Sequence, residues 1–407
     1  MPSDRTTVTE LGTGLGMLGL PDIDEAVRSR TPVMHSLSPE MWERLARLRA
    51  GGAYDGEFHA AWANGQAFLG AADGLRGRPP NVVEWKGTGR APGDEVAPID
   101  LRVDHVYLVS CKYLSTILFN VSPSHVFDEL LAGGPARTGR AARGLLPGGG
   151  DWYAEVAPAE HQALYEAVRV AAKRSEDGVR ATGTAPLRPA RPARGGGRSP
   201  TAVVLPGLGG GDAPDHDGTT RENGTSDTRR GLLAELVHLP PRAVDLTSAQ
   251  RDTLGQWLRS GWPAEATSLY AKLSNAVARA SVRRWHAAME TGGGTGEAMV
   301  WRLLRIGSAP YFVLGSSESR SLRLRIGTSW DWRQQYRLMA LDVEAQRGGQ
   351  PRVGWAATVR DRASHAELTV AGHIEVRWSH GRFGGPPEAK GYLDTPHHLV
   401  PGYFALR

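Results

Sequence analysis

Apolar residues recur at helical spacing early in the chain and in alternation toward its end. Met41, Leu45 and Leu48 predict a helix over Pro39–Ala50, with Ser38 as N-cap, Pro39 in the first turn and Gly51-Gly52 as the stop. Phe58, Trp62 and Leu69 predict a second helix over Tyr54–Leu69, with Glu57 at the edge of its apolar stripe. Asn81–Trp85, Ile99–Val103 and Val106–Tyr113 predict strands, the last two joined by a tight turn at Asp104-His105. His125–Leu131, preceded by Ser124, and Glu160–Lys173 predict helices. In the last third, Ser248–Arg259 and Pro263–Met289 predict helices. Ser321–Ile326, Tyr336–Gln346, Arg352–Arg362 and Glu367–Trp378 alternate wholly or in part and predict an antiparallel sheet.

Two stretches lack this patterning. Residues 1–36 read as a loose leader. Residues 174–230 are rich in glycine, proline and arginine, hold no aromatic residue, and read as a linker with Ala202–Leu205 as its only strand-like run. The expected organisation is a leader (1–36), an α/β module (37–173), the linker (174–230) and a C-terminal α+β module (231–407) whose helices precede an antiparallel sheet.

Composition narrows the class. Apolar residues are 40% of the 407, enough for a core, and no run reaches the roughly 20 apolar residues that span a bilayer. No membrane partner is expected. Met1–Glu10 is polar and lacks the apolar core of a signal peptide. The single cysteine, Cys111, excludes an internal disulfide and a cysteine-based zinc cluster, so a reducing cytoplasm is the expected compartment. A net charge of +5 permits a polyanionic partner without demanding one. Only five of the 48 basic residues are lysine, at 86, 112, 173, 272 and 390. In so arginine-rich a chain, a retained lysine marks a place where a compact ammonium suits better than a planar guanidinium.

One of those lysines sits among groups suited to phosphodiester hydrolysis. That reaction uses oxygen-held divalent cations to activate water and a nearby positive charge to stabilise the phosphate. Asp100 lies on one predicted strand and Lys112 on the next. Ser110, two residues before Lys112, shares its face, while Cys111 points the other way. Pro98-Ile99-Asp100 and Ser110-Cys111-Lys112 resemble the half-motifs of the PD-(D/E)XK nuclease superfamily, over roughly residues 50–135. The resemblance implies a restriction-endonuclease-like α/β fold, a mixed sheet flanked by helices. It also implies a helix glutamate completing the metal site, for which Glu57 is the candidate. Serine at 110 replaces the second acid, so a carboxylate from elsewhere, Glu57, Glu84 or Asp104, is needed, and the Cys111 carbonyl is a further metal ligand. The implied cofactor is Mg2+ or Mn2+. The implied substrate is DNA, with RNA as the other polyanion, in a restriction or phage-defence setting, and a homodimer is compatible with the resemblance. A non-catalytic nucleic-acid-binding or interaction protein with a decayed nuclease core is the alternative. A buried Asp100–Lys112 ion pair that only fixes strand register would look the same in sequence.

The C-terminal strands suggest recognition. Arg323 and Arg325 share one face of a strand, and Arg377, Trp378, His380 and Arg382 form a basic, aromatic run suited to phosphate contact and base stacking. The competing expectation is that the tryptophans there, Trp330, Trp332, Trp355 and Trp378, are core residues. Glu388-Ala389-Lys390, near Asp394, is a second acid-x-lysine that follows the loop-like Gly384-Gly385-Pro386-Pro387 and is expected to be a solvated pair. His365, His373, His397 and His398 lack zinc-site spacing, and His373 and His380 are expected in structural or nucleic-acid contacts. Gly207–Gly211 lacks the ending of a phosphate loop.

Overall fold

A computed structural model describes residues 3–87, 99–113, 117–131, 151–182, 236, 238–291, 296–317, 320–378 and 381–407. Contacts divide the chain into two units. One holds residues 1–161, 268–379 and 386–407, the other 162–267 and 380–385. Both sheets lie in the first.

The chain is α/β. A seven-stranded mixed sheet has the order β1-β2-β3-β4-β6-β7-β12. Its strands are β1 (Met34–His35), β2 (Val83–Trp85), β3 (Leu101–Val103), β4 (Tyr107–Tyr113), β6 (Tyr311–Ser317), β7 (Arg320–Ile326) and β12 (Tyr403–Ala405). β2, β3 and β4 form an antiparallel meander. Asp104 and His105, both at positive φ, make the tight turn between β3 and β4. β6 then joins β4 in parallel. A separate antiparallel sheet has the order β5-β11-β10-β9-β8. It contains β5 (Ile117–Val121), β8 (Tyr336–Gln346), β9 (Arg352–Asp361), β10 (Glu367–Arg377) and β11 (Glu388–Leu393).

Residues 1–36 are not a loose leader. They form α1 (Asp4–Gly16) and α2 (Ile23–Ser29), and α1 is buried from Thr7 to Gly16. Its glycines and threonines hide it from a periodicity search, because small residues carry little apolar contrast. The same residues allow close packing on α4 (Asp55–Gly70). A Cβ on Gly16 would stand 2.4 Å from the Trp62 carbonyl, and one on Gly65 would stand 2.2 Å from the Thr13 carbonyl. Val8, Leu11 and Leu15 of α1 join Phe58, Trp62 and Phe68 of α4 on one face of the meander, with Val83, Trp85, Leu101, Val109, Phe312 and Leu314. Between them α3 (Pro39–Ala50) is capped as expected, Ser38 accepting from the Met41 N–H.

Other expectations shift with tertiary pairing. Ser321–Ile326 does not join the antiparallel sheet; as β7 it pairs with β6 and β12. Glu388-Ala389-Lys390, expected as a solvated pair, is the start of β11, held between β10 and β5. The expected modules 37–173 and 231–407 share one sheet through the β4–β6 pairing, so the units are not divided at the linker. Of the expected linker, residues 174–182 extend α6 (Pro158–Thr182). Residues 183–235, including Ala202–Leu205 and Gly207–Gly211, lie outside the described residues. Among the described residues no helix is long and apolar enough to cross a membrane.

Candidate active site

Strand alternation sorts the site. Val83, Trp85, Leu101, Val109 and Cys111 face α1 and α4, while Glu84, Arg102, Ser110 and Lys112 face the other side. Asp100 stands just before β3, where the ladder becomes irregular. Its carbonyl accepts from Lys86 of the β2 side, and its N–H donates to Val109 of β4. The side chain turns to β4 as well. Asp100 Oδ2 accepts from the Cys111 N–H at 2.6 Å and from Ser110 Oγ at 3.3 Å. Pro98 lies outside the described residues.

The Lys112 carbonyl is turned to β6, since a Cβ on Gly315 would stand 1.9 Å from it. Successive carbonyls of a strand point to opposite edges. The Cys111 carbonyl is therefore turned to the β3 side, where Asp100 lies. Burial pushes the Lys112 ammonium below its ordinary range, opposed mainly by the charge of Asp100. Burial, with Asp100 and Glu10 nearby, pushes the Cys111 thiol well up, so the sulfur stays neutral.

The second carboxylate beside Asp100 is Glu10 of α1, a residue that sequence reasoning missed. It is buried, and Trp85 Nε1–H donates to its Oε2 at 2.6 Å. Burial first, and the Asp100 charge second, push its pKa up to about 8; the Trp85 hydrogen bond and Lys112 oppose the rise. The signal was present in Val8-Thr9-Glu10-Leu11, an acid between apolar positions, but it required recognising the segment as a buried helix.

The carboxylates expected to fill the gap are placed otherwise. Glu57 accepts from Arg5 Nε at 3.1 Å, and that guanidinium lies over Tyr113. Glu84 lies 3.9 Å from Arg102 and 3.5 Å from His105. Asp104 accepts from the N–H groups of Asn81 and Val82, which pins the start of β2 to the turn. The acids whose charges act on Lys112 are Asp100 and Glu10. Among the described residues no group of three or more His, Cys, Asp or Glu is arranged to hold a metal ion.

The expected recognition surface is largely structural. Arg323 donates to Asn64 Oδ1 and the Ala63 carbonyl, tying β7 to α4. Arg325 lies over Phe404. Trp332, Trp355 and Trp378 are buried, and only Trp330 of the four tryptophans is well exposed, at 66%. Trp378 packs against Tyr153 with centroids 4.3 Å apart, and also against His161 and Tyr270. Arg377 sits opposite Glu388 in the β10–β11 ladder. In the second unit Arg382 stacks on Trp262, 3.9 Å from its centroid. His380 lies outside the described residues. His373 binds Asp394 through Nδ1 at 2.8 Å and stacks on Tyr392, a structural role.

No protein-family model, curated protein or solved structure matches the chain.

Proposed function

We propose that the chain is a metal-dependent nuclease that hydrolyses the phosphodiester bonds of DNA with a PD-(D/E)XK-like site. The observation that carries this reading is Glu10, a helix carboxyl pushed up to about 8 by its burial and by the charge of Asp100, with Lys112 opposing. It occupies the role of the helix glutamate that the resemblance implies, and it supplies the acid that Ser110 lacks. A meander bearing the aspartate and the lysine on adjacent strands, within a mixed sheet, supports the restriction-endonuclease-like fold.

Two neighbouring carboxylates repel, and one takes up a proton unless a cation lies between them. That chemistry fits Mg2+ or Mn2+ held by Glu10 and Asp100, with the Cys111 carbonyl turned the same way. Such a cation supplies Lewis acidity and an activated water when bound. Asp100 is held for the task by the Cys111 N–H and Ser110 Oγ. Glu10 is oriented by Trp85 and releases its proton when a cation binds. Lys112 orients the attacking water and stabilises the charge that develops on the phosphate.

The test is plasmid cleavage with Mg2+ or Mn2+, with and without chelator, by the wild type and by Glu10→Gln, Asp100→Asn and Lys112→Ala. Chelator should stop cutting, and each variant should slow it by ~100-fold or more. Cutting that survives Glu10→Gln and Lys112→Ala would sink the assignment. A second reading, a decayed core that binds nucleic acid without cutting it, is favoured by the serine that stands at 110 in place of the second acid. No cutting, with binding that weakens as salt rises, would establish it.

A further inference from the structure

The site contains a second lysine that the reading above does not use. The Lys86 N–H donates to the Asp100 carbonyl at 2.9 Å, adding one rung to the β2–β3 ladder beyond the Trp85–Leu101 pair. One bond links the two residues, since the Asp100 N–H donates to Val109. Alternation places Val83 and Trp85 against α1, with Trp85 bonded to Glu10. It places Glu84 and Lys86 on the opposite face, which also carries Ser110 and Lys112. Two of the five lysines in the chain thus flank Asp100, one on each neighbouring strand.

Their surroundings differ. The Lys112 ammonium is under the charge of Asp100, which opposes the lowering by burial. Lys86 is half-buried, and among the described residues its ammonium has no hydrogen bond or ion pair. Among the described residues, Asp100 bonds to β4, Glu10 to Trp85, and Glu84 lies by Arg102 and His105. A half-buried ammonium with no counter-charge among the described residues, on a residue whose backbone bonds to Asp100, is suited to an anion brought from outside. A point charge on a flexible stem accepts a phosphate from several directions without choosing a base.

We propose that Lys86 is a substrate-positioning residue that holds a backbone phosphate of a nucleic-acid strand beside the Glu10–Asp100 site. This inference rests on the nuclease reading for its substrate, but it is tested by binding as well as by cutting. The probe is a fluorescent 20-base-pair DNA duplex, titrated at several salt concentrations in the presence of Ca2+ to permit binding without turnover. Lys86→Ala should weaken binding and lower the salt slope by about one phosphate contact, with the melting temperature unchanged. Lys86→Arg should keep most of the affinity. In cleavage, Lys86→Ala should raise KM more than it lowers kcat.

Unchanged affinity and salt slope in Lys86→Ala would overturn the proposal while leaving the nuclease reading intact. A lowered slope in a protein that never cuts would uphold the phosphate contact and overturn the nuclease reading. Weakened binding with a lowered melting temperature and an unchanged salt slope would make Lys86 a structural residue, and the proposal would fall.

Discussion

At the scale of the residue, the site turns on Glu10 and its proton. Its folded pKa, about 8, lies above the ordinary 4.5, so between these values the folded chain binds more protons than the unfolded chain. The stability contributed by neutral Glu10 is complete below pH 4.5 and is lost as pH rises through about 8. Metal-free protein should therefore lose stability across this window, and Glu10→Gln should remove most of that dependence, as read from thermal melts at stepped pH. A pH profile identical in the two proteins would contradict the assignment. Trp378 makes the complementary point. Its core position among Tyr153, His161 and Tyr270 predicts that Trp378→Ala costs ~3–5 kcal/mol in denaturant unfolding, as a large-to-small core change does. A variant of unchanged stability but weakened DNA binding would restore the recognition role expected from sequence.

At the scale of the element, Glu10 is only as well placed as α1, and α1 is placed by glycine. Gly16 and Gly65 bring α1 and α4 so close that either Cβ would run into a backbone carbonyl. Backbone does not yield as a side-chain tip does. Gly65→Ala should therefore cost ~1–3 kcal/mol, the usual range for overpacking, and weaken Mn2+ binding measured by calorimetry through displacement of Glu10. Wild-type metal affinity in a clearly destabilised Gly65→Ala would separate helix packing from the site. Most elements were legible in the order of residues. The predicted strand Tyr336–Gln346 is β8 to the residue, and Ser38 caps its helix as read. α1 was not legible, because Gly12, Gly14, Gly16 and the threonines between them weaken the apolar period that identifies a helix. β11 was missed for a different reason. Glu388 and Lys390 look like loop residues beside Pro386-Pro387, and only pairing with β10 and β5 makes them a strand.

At the scale of the whole molecule, the N-terminal and C-terminal parts of the chain are interleaved. β4 carries Lys112, and its parallel neighbour β6 arrives about two hundred residues later. Gly315 permits that approach, since any Cβ there would strike the Lys112 carbonyl. The last residues are tied back as well, the Arg407 carbonyl accepting from the Asp73 N–H. A fragment of residues 37–173, the module expected from composition, lacks both α1 and β6. It should show no cooperative thermal transition by circular dichroism; a sharp transition would mean that this part folds alone.

The amino-acid sequence by itself determined most of the elements, since period and capping are local properties. It also determined the Asp100–Lys112 half of the candidate site, because those two residues lie close to a hairpin whose turn has only three residues. Tertiary structure alone decided the other half. Glu10 lies ninety residues before Asp100 in the chain, and its apolar neighbours Val8 and Leu11 announce a buried carboxyl only once the segment is known to be a packed helix. That property arises only when α1 lies against α4 and the meander, where desolvation, Trp85 and Asp100 act on it together.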